Sequence, residues 1–311
     1  MKSFISILLI LINSLSFCQS NLKPFLAELT TKFPNVRDLA ISPNGNEVMF
    51  TAQSVMGNLS AIVISKKTNN SWSTPEVASF SGQFFDLEPF YSSDGLKVYF
   101  VSTRPLFNDT LEPKDFDIWF VERLSLDSNW SEPKNMGSPI NTKHGEFYPS
   151  IANNGNFYFN RDNPELKTKD DIYVSEFKDD MYQIPKKLPV SINSEGYEYN
   201  AFIAPDESYL IFGSYNRKDG FGSGDLYMSI KTDEGWTVAR NLGDNINSDK
   251  MDYCPFVDTK TNTLYFTSKR DNTKVQQEKR LTTEELITEL NKADNGSSSL
   301  YKISIDELLK Q

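Results

Sequence analysis

The hydrophobic positions of this chain fall into short runs separated by turn residues, and the runs return in one order several times. The stretch 198–248 shows the order most clearly. An extended run, 199–204, turns at Pro205-Asp206-Glu207 into the apolar strand Tyr209-Leu210-Ile211-Phe212. After a connection containing Gly220, Gly222 and Gly224, a third strand starts at Asp225-Leu226-Tyr227-Met228 and a fourth at Trp236. The unit closes with Asn241-Leu242-Gly243 and Ile246-Asn247-Ser248. This pattern predicts a small antiparallel sheet that cannot bury both its faces alone.

Aligning on the second strand gives Val48-Met49-Phe50, Val98-Tyr99-Phe100, Phe157-Tyr158-Phe159, Leu210-Ile211-Phe212 and Leu264-Tyr265-Phe266, in steps of 50, 59, 53 and 54 residues. Periods of this size mean a propeller or a solenoid, and four antiparallel strands per unit favour the propeller. Tight turns precede these strands at Pro43-Asn44-Gly45, Ser93-Asp94-Gly95, Asn153-Asn154-Gly155, Pro205-Asp206-Glu207 and Lys260-Thr261-Asn262. Asn, Asp and Gly supply the positive φ that short hairpin loops need. Third strands begin at Ser60, Asp117, Asp171, Asp225 and Ser299. Fourth strands are read from Trp72…Pro75, Trp130…Pro133, Tyr182…Pro185 and Trp236…Ala239. Proline suits an outer edge strand, where a missing donor has no partner to lose.

The expected fold is therefore an all-β propeller of four-stranded antiparallel blades. Five blades are expected, with a sixth, degenerate one as the alternative. The fifth unit lacks its fourth strand, so segment 25–30 is predicted to pair with it and close the ring, which removes an open edge. An insert at 275–295 carries a helix signal: Thr282 or Thr283 as cap, Glu284 and Glu285 in the first turn, and Leu286, Ile287 and Leu290 on one side. It is expected to pack on the propeller rim, with a lid over the channel as the alternative.

The start of the chain reads differently. Lys2 precedes an apolar run, 4–15, that is too short to span a bilayer and ends in Ser16-Phe17-Cys18-Gln19. Residues 1–18 are read as a secretory signal peptide, leaving one propeller domain over 19–311. A lipid anchor on Cys18 is the less favoured option, because Phe17 is large for the position before an acylated cysteine. The protein is thus expected to be exported, to the periplasm or beyond the cell, with association to the envelope possible. No later stretch is apolar enough for a transmembrane helix.

With signal cleavage, Cys254 is left alone and is read as a small buried hydrophobe of a strand. His144 is the single histidine, which excludes multi-histidine metal sites, and no metal or cofactor is expected. A formal charge of −10 argues against nucleic acid and anionic membrane as partners. Hydrophobic residues at 38% provide a core, and the 13% aromatic share favours β-structure.

The repeats resemble the WD-like propeller repeat of TolB-type exported proteins, over about residues 35–305. The best pieces are Glu88-Pro89…Ser93-Asp94-Gly95…Tyr99-Phe100, Glu146-Phe147-Tyr148-Pro149 and Asp252-Tyr253-Cys254-Pro255…Leu264-Tyr265-Phe266-Thr267-Ser268, with Arg270 beyond. The first unit departs most, with Val36 and Leu39 where later units carry an acid and Pro89, Pro149 or Pro255. The resemblance implies an exported β-propeller that often works as a binding scaffold, and no single ligand or reaction.

In such a blade one face gathers Arg104, Arg161, Arg217 and Arg270 from the ends of second strands. It also gathers Asp86, Glu146, Glu198 and Asp252 from the starts of first strands. A ring of Arg and carboxylate could hold an anionic sugar, a peptide terminus or a metal ion. The competing reading is a clasp, each Arg pairing with Asp117, Asp171 or Asp225 of its own blade, and recurrence in every unit favours it. Trp72, Trp130 and Trp236 could stack on sugars but keep a fixed place in the repeat, which favours packing between blades. The run 220–224 joins two strands and opens no helix, so it fails the context test for a phosphate cradle.

No unique catalytic set stands out. The leading reading is a non-catalytic binding or scaffold protein for a protein or cell-surface glycan. The alternative is a glycan-active hydrolase using Asp86, Glu146, Glu198 and Asp252 at the channel mouth. Its requirement is two carboxylates about 5–10 Å apart and free of arginine partners. The sialidase Asp-box is only approached by 92–100, where Gly95 directly follows Asp94 and no Trp follows.

Overall fold

The computed structural model describes residues 21–107, 112–165 and 170–310. The signal-peptide reading of 1–18, with Cys18, lies outside the described residues. Five antiparallel sheets follow one another in the order the repeat predicts. Their innermost strands are Asn35–Ile41, Asp86–Tyr91, Gly145–Ile151, Tyr197–Ile203 and Asp252–Asp258, here blades 1 to 5. Each innermost strand touches the next, and blade 5 touches blade 1, so the sheets form a ring. The chain is a five-bladed β-propeller.

The second strands (Glu47–Gln53, Lys97–Ser102, Phe157–Asp162, Tyr209–Tyr215 and Thr263–Ser268) carry the aligned phenylalanines. Phe50, Phe100, Phe159, Phe212 and Phe266 are fully buried. They sit in clusters that join neighbouring blades: Phe100 packs with Met49 and Ile62 of blade 1, and Phe212 with Tyr158 and Ile172 of blade 3. Burying such a side chain is worth about 1.5–3 kcal/mol, so much of the apolar stabilisation resides between blades. Trp72, Trp130 and Trp236 pack against these clusters, Trp130 meeting Phe80 edge-on at 6.3 Å.

The outer strands differ from expectation. Each is a two-residue pair such as Glu76–Val77, Lys134–Asn135, Lys186–Lys187 or Arg240–Asn241, lying after the Trp or Tyr. Pro75, Pro133 and Pro185 cannot donate to the ladder, so the edge breaks there. Trp72 and Trp236 instead belong to short hairpins with the third strands.

Ring closure is also shifted. Lys23–Pro24, and not 25–30, pairs with the last strand, Ser299–Ser304, as the fourth strand of blade 5. The Phe25 N–H adds one bond to the Leu300 carbonyl at 2.8 Å. The chain then turns into a helical turn, Ala27–Thr30, that buries Leu26 and Leu29 between blades 5 and 1. The apolar residues of 25–30 are thus used as a wedge.

The insert forms a helix, Thr283–Leu290, with a full capping box between Thr282 and Glu285. It does not pack on the rim. None of its residues is buried, and Leu286, Ile287 and Leu290 are 45%, 55% and 59% exposed. The loop is anchored through its flanks, where Asn272 N–H donates to the Asp294 carbonyl at 2.9 Å and Gly296 N–H to the Arg270 carbonyl at 3.2 Å. Three apolar side chains on two helical turns are too few to draw the helix down.

Candidate functional site

The arginine and acid residues at the strand ends form clasps, with a partner other than the expected one. Arg104 bonds Asp86 at 2.8 Å, Arg161 bonds Glu146 at 2.9 Å, Arg217 bonds Glu198 at 3.0 Å and Arg270 bonds Asp252 at 2.9 Å. Each is the acid that starts the innermost strand of the same blade. The third-strand acids have other duties: Asp117 binds Lys114, Asp171 binds Lys187, and Asp225 accepts from the N–H groups of Phe221 and Gly222. That last pair uses up donors that a phosphate cradle would need.

The clasp is built alike four times. Each guanidinium also donates to a carbonyl of the link entering its blade, at Phe80, Ile140, Ile192 or Ile246. Each stacks over the aromatic pair of its own sheet, as Arg217 does over Phe212 and Tyr227 at 5.4 and 4.7 Å. A hydroxyl of Ser81, Thr142, Ser194 or Ser248 binds the acid from the other side. All four carboxylates are fully buried. Blade 1 has no clasp, because Val36 stands at the acid position and packs in the core between blades 5 and 1.

A second ring lies nearer the axis, and sequence reasoning missed it. Every innermost strand carries a β-bulge at one equivalent place, shown by the register shifts at 37–40, 87–90, 147–150, 199–202 and 253–256. The bulged residues are Asp38, Glu88, Tyr148, Asn200 and Cys254, all at φ between 51° and 58°. Such a conformation is uncommon for a residue other than glycine and costs on the order of 1–3 kcal/mol each. A bulge re-aims side chains, and here it turns five of them toward the axis.

These side chains bond across the axis. Arg37 Nε meets Asp38 Oδ1 at 2.8 Å, and its second amino group meets Glu88 Oε1 at 3.0 Å. The Cys254 thiol donates to Asp38 Oδ1 at 2.7 Å, and the Asn200 amide to Glu88 Oε1 at 3.2 Å. The Tyr148 N–H donates to Glu88 Oε2 at 2.7 Å. Burial, reinforced by the charge of Asp38, pushes the Glu88 carboxyl up to about 8 although Arg37 opposes it. Burial likewise raises the Cys254 thiol, which makes it a poor nucleophile. The network closes the channel at this level.

On the hairpin-turn side of this plug the axis opens into a cup of about 450 Å³, lined by all five blades. Ile41, Phe90, Ile151, Phe202 and Phe256 form its walls, and turn residues such as Asn44, Ser93, Asn153 and Lys260 form its rim. A chamber of about 10 Å³, room for about one water, lies where the cup meets the plug. It is lined by Asp38, Glu88, Tyr148 and three prolines, and shares Phe90, Phe202 and Phe256 with the cup.

No protein-family model matches the chain, and no curated protein matches it. Solved structures do. A putative TolB from Agrobacterium tumefaciens is 14% identical over 75% of this chain and 69% of that one, with a TM-score of 0.47. TolB from Acinetobacter baumannii is 14% identical, covering 76% of this chain and 49% of that one, with a TM-score of 0.49. A glycoside hydrolase is 10% identical over 86% and 87%, with a TM-score of 0.54. At such identities the likeness concerns the fold alone. The five-bladed propeller is the fold that the repeats lead one to expect.

Proposed function

We propose that the protein is an exported, non-catalytic β-propeller that binds a protein or a cell-surface glycan, with the hairpin-side cup as its ligand seat. One observation carries this reading. The large axial opening has apolar walls and, among the described residues, Asp258 as its one acidic lining residue, while the acids near the axis are engaged by arginine. A concave apolar site rimmed by a few polar groups is what a binding function needs. Export rests on the leader-like start of the chain. Among the described residues no helix is long and apolar enough to cross a membrane.

The hydrolytic reading has one specific support. Glu88, raised to about 8, sits beside Asp38, and paired carboxyls in unlike environments are what acid–base catalysis employs. Their chamber, however, admits about one water and no sugar ring. A glycan array and a pull-down from the native envelope, run beside Ile151→Trp, test the choice. Binding lost in that variant, with no hydrolysis of aryl glycosides, is expected. Hydrolysis abolished by Glu88→Gln would replace binding with catalysis.

A further inference from the structure

The floor of the cup holds more carboxyls than guanidiniums. Asp38 and Glu88 are two carboxyls served by one guanidinium, Arg37. Asp38 is 2% exposed, and its Oδ2 is buried without a hydrogen-bond partner. A buried polar atom left this way is destabilising, so it marks a place where a donor fits. Asp38 lines the small chamber, and the rings of Phe90, Phe202 and Phe256 stand between that chamber and the cup. Phe90 and Phe256 are only half-buried. Aromatic walls above an unpartnered carboxylate oxygen favour a cation over a neutral apolar group.

We infer that cup and chamber together bind a primary ammonium on an apolar stem, the chemistry of a lysine side chain on a partner protein's loop. The inference rests on the cup being the ligand seat proposed above. The stem lies along Ile41, Ile151 and the phenyl rings, and the ammonium donates to Asp38 Oδ2. The groups that face Glu88 are Arg37 and Asp38 of blade 1, Tyr148 of blade 3, Asn200 of blade 4 and Cys254 of blade 5. Because Glu88 holds its proton to about pH 8, an arriving ammonium displaces that proton, and affinity rises with pH.

Calorimetric titration of the full chain at about pH 8.5, where lysine is still charged, tests this with Ac-Gly-Lys-Gly-NH2, its norleucine counterpart and n-butylammonium. The lysine peptide is expected to bind at least about tenfold more tightly than the norleucine peptide. Asp38→Asn should remove the difference, and Ile151→Trp should remove binding of both. Affinity for the lysine peptide should rise from pH 7 to 9, and stay flat in Glu88→Gln. Equal binding of the two peptides overturns the ammonium and leaves the cup as a seat for something else, water alone filling the chamber. No saturable binding of either peptide also overturns it, while the array and pull-down judge the broader reading separately. Butylammonium binding as tightly as the peptide reassigns the site to free amines and overturns the protein partner. Should Asp38→Asn fail to fold, the two peptides on the unaltered protein decide alone.

Discussion

The clasps and the axial ring are both repeated structures, and they repeat opposite things. In blades 2 to 5 the clasp keeps its side chains: an arginine, an acid, a hydroxyl and an aromatic pair, in one geometry. The axial ring keeps only its backbone, a bulge at positive φ in all five blades, and fills it with Asp, Glu, Tyr, Asn and Cys. Side chains that recur with the blade serve the blade. Where the backbone recurs and the chemistry diverges, the ring becomes asymmetric, and an asymmetric polar cluster can recognise something.

The largest expected effect breaks a clasp. Arg104→Ala leaves Asp86 buried and unpaired and should cost about 3–5 kcal/mol in urea unfolding. Ring closure comes next: Leu26→Ala removes the wedge between blades 5 and 1 and should cost about 2–5 kcal/mol by the same measurement.

The axial ring should announce itself through pH. The unfolded chain gives up the Glu88 proton near pH 4.5, whereas the folded chain keeps it to about 8. The folded state is therefore favoured fully at low pH, and this contribution fades as pH rises between those values. Unfolding free energy followed across that window should fall in the native protein and fall less in Glu88→Gln. A profile identical in both would remove the acid pair from the account. The smallest effect belongs to the standing helix, where Leu290→Ser should stay within about 0.5 kcal/mol because the side chain is already in water.

Much of this architecture could be read from the residues. The Phe50 to Phe266 series placed five second strands, and the missing fourth strand of the last unit announced a closure from the other end of the chain. The clasp is visible in the sequence as a kind of interaction, yet the repeat points Arg217 to Asp225 when its partner is Glu198. Both acids sit at strand starts on the same side of the blade, and sequence order does not tell which one lies under the arginine. The axial ring was hidden for a different reason. Cys254 looks like a strand hydrophobe and Tyr148 like core, because neither residue type signals a positive φ. Aligning the first strands would have stacked Asp38, Glu88, Tyr148, Asn200 and Cys254, but their side chains share no chemistry to draw attention.

The contrast between the two rings comes down to one paired measurement on Arg217→Ala, its melting temperature and its affinity for the lysine peptide. A lower melting temperature with affinity unchanged is the predicted result. An unchanged melting temperature with affinity lost would make the clasp a ligand site and contradict the account.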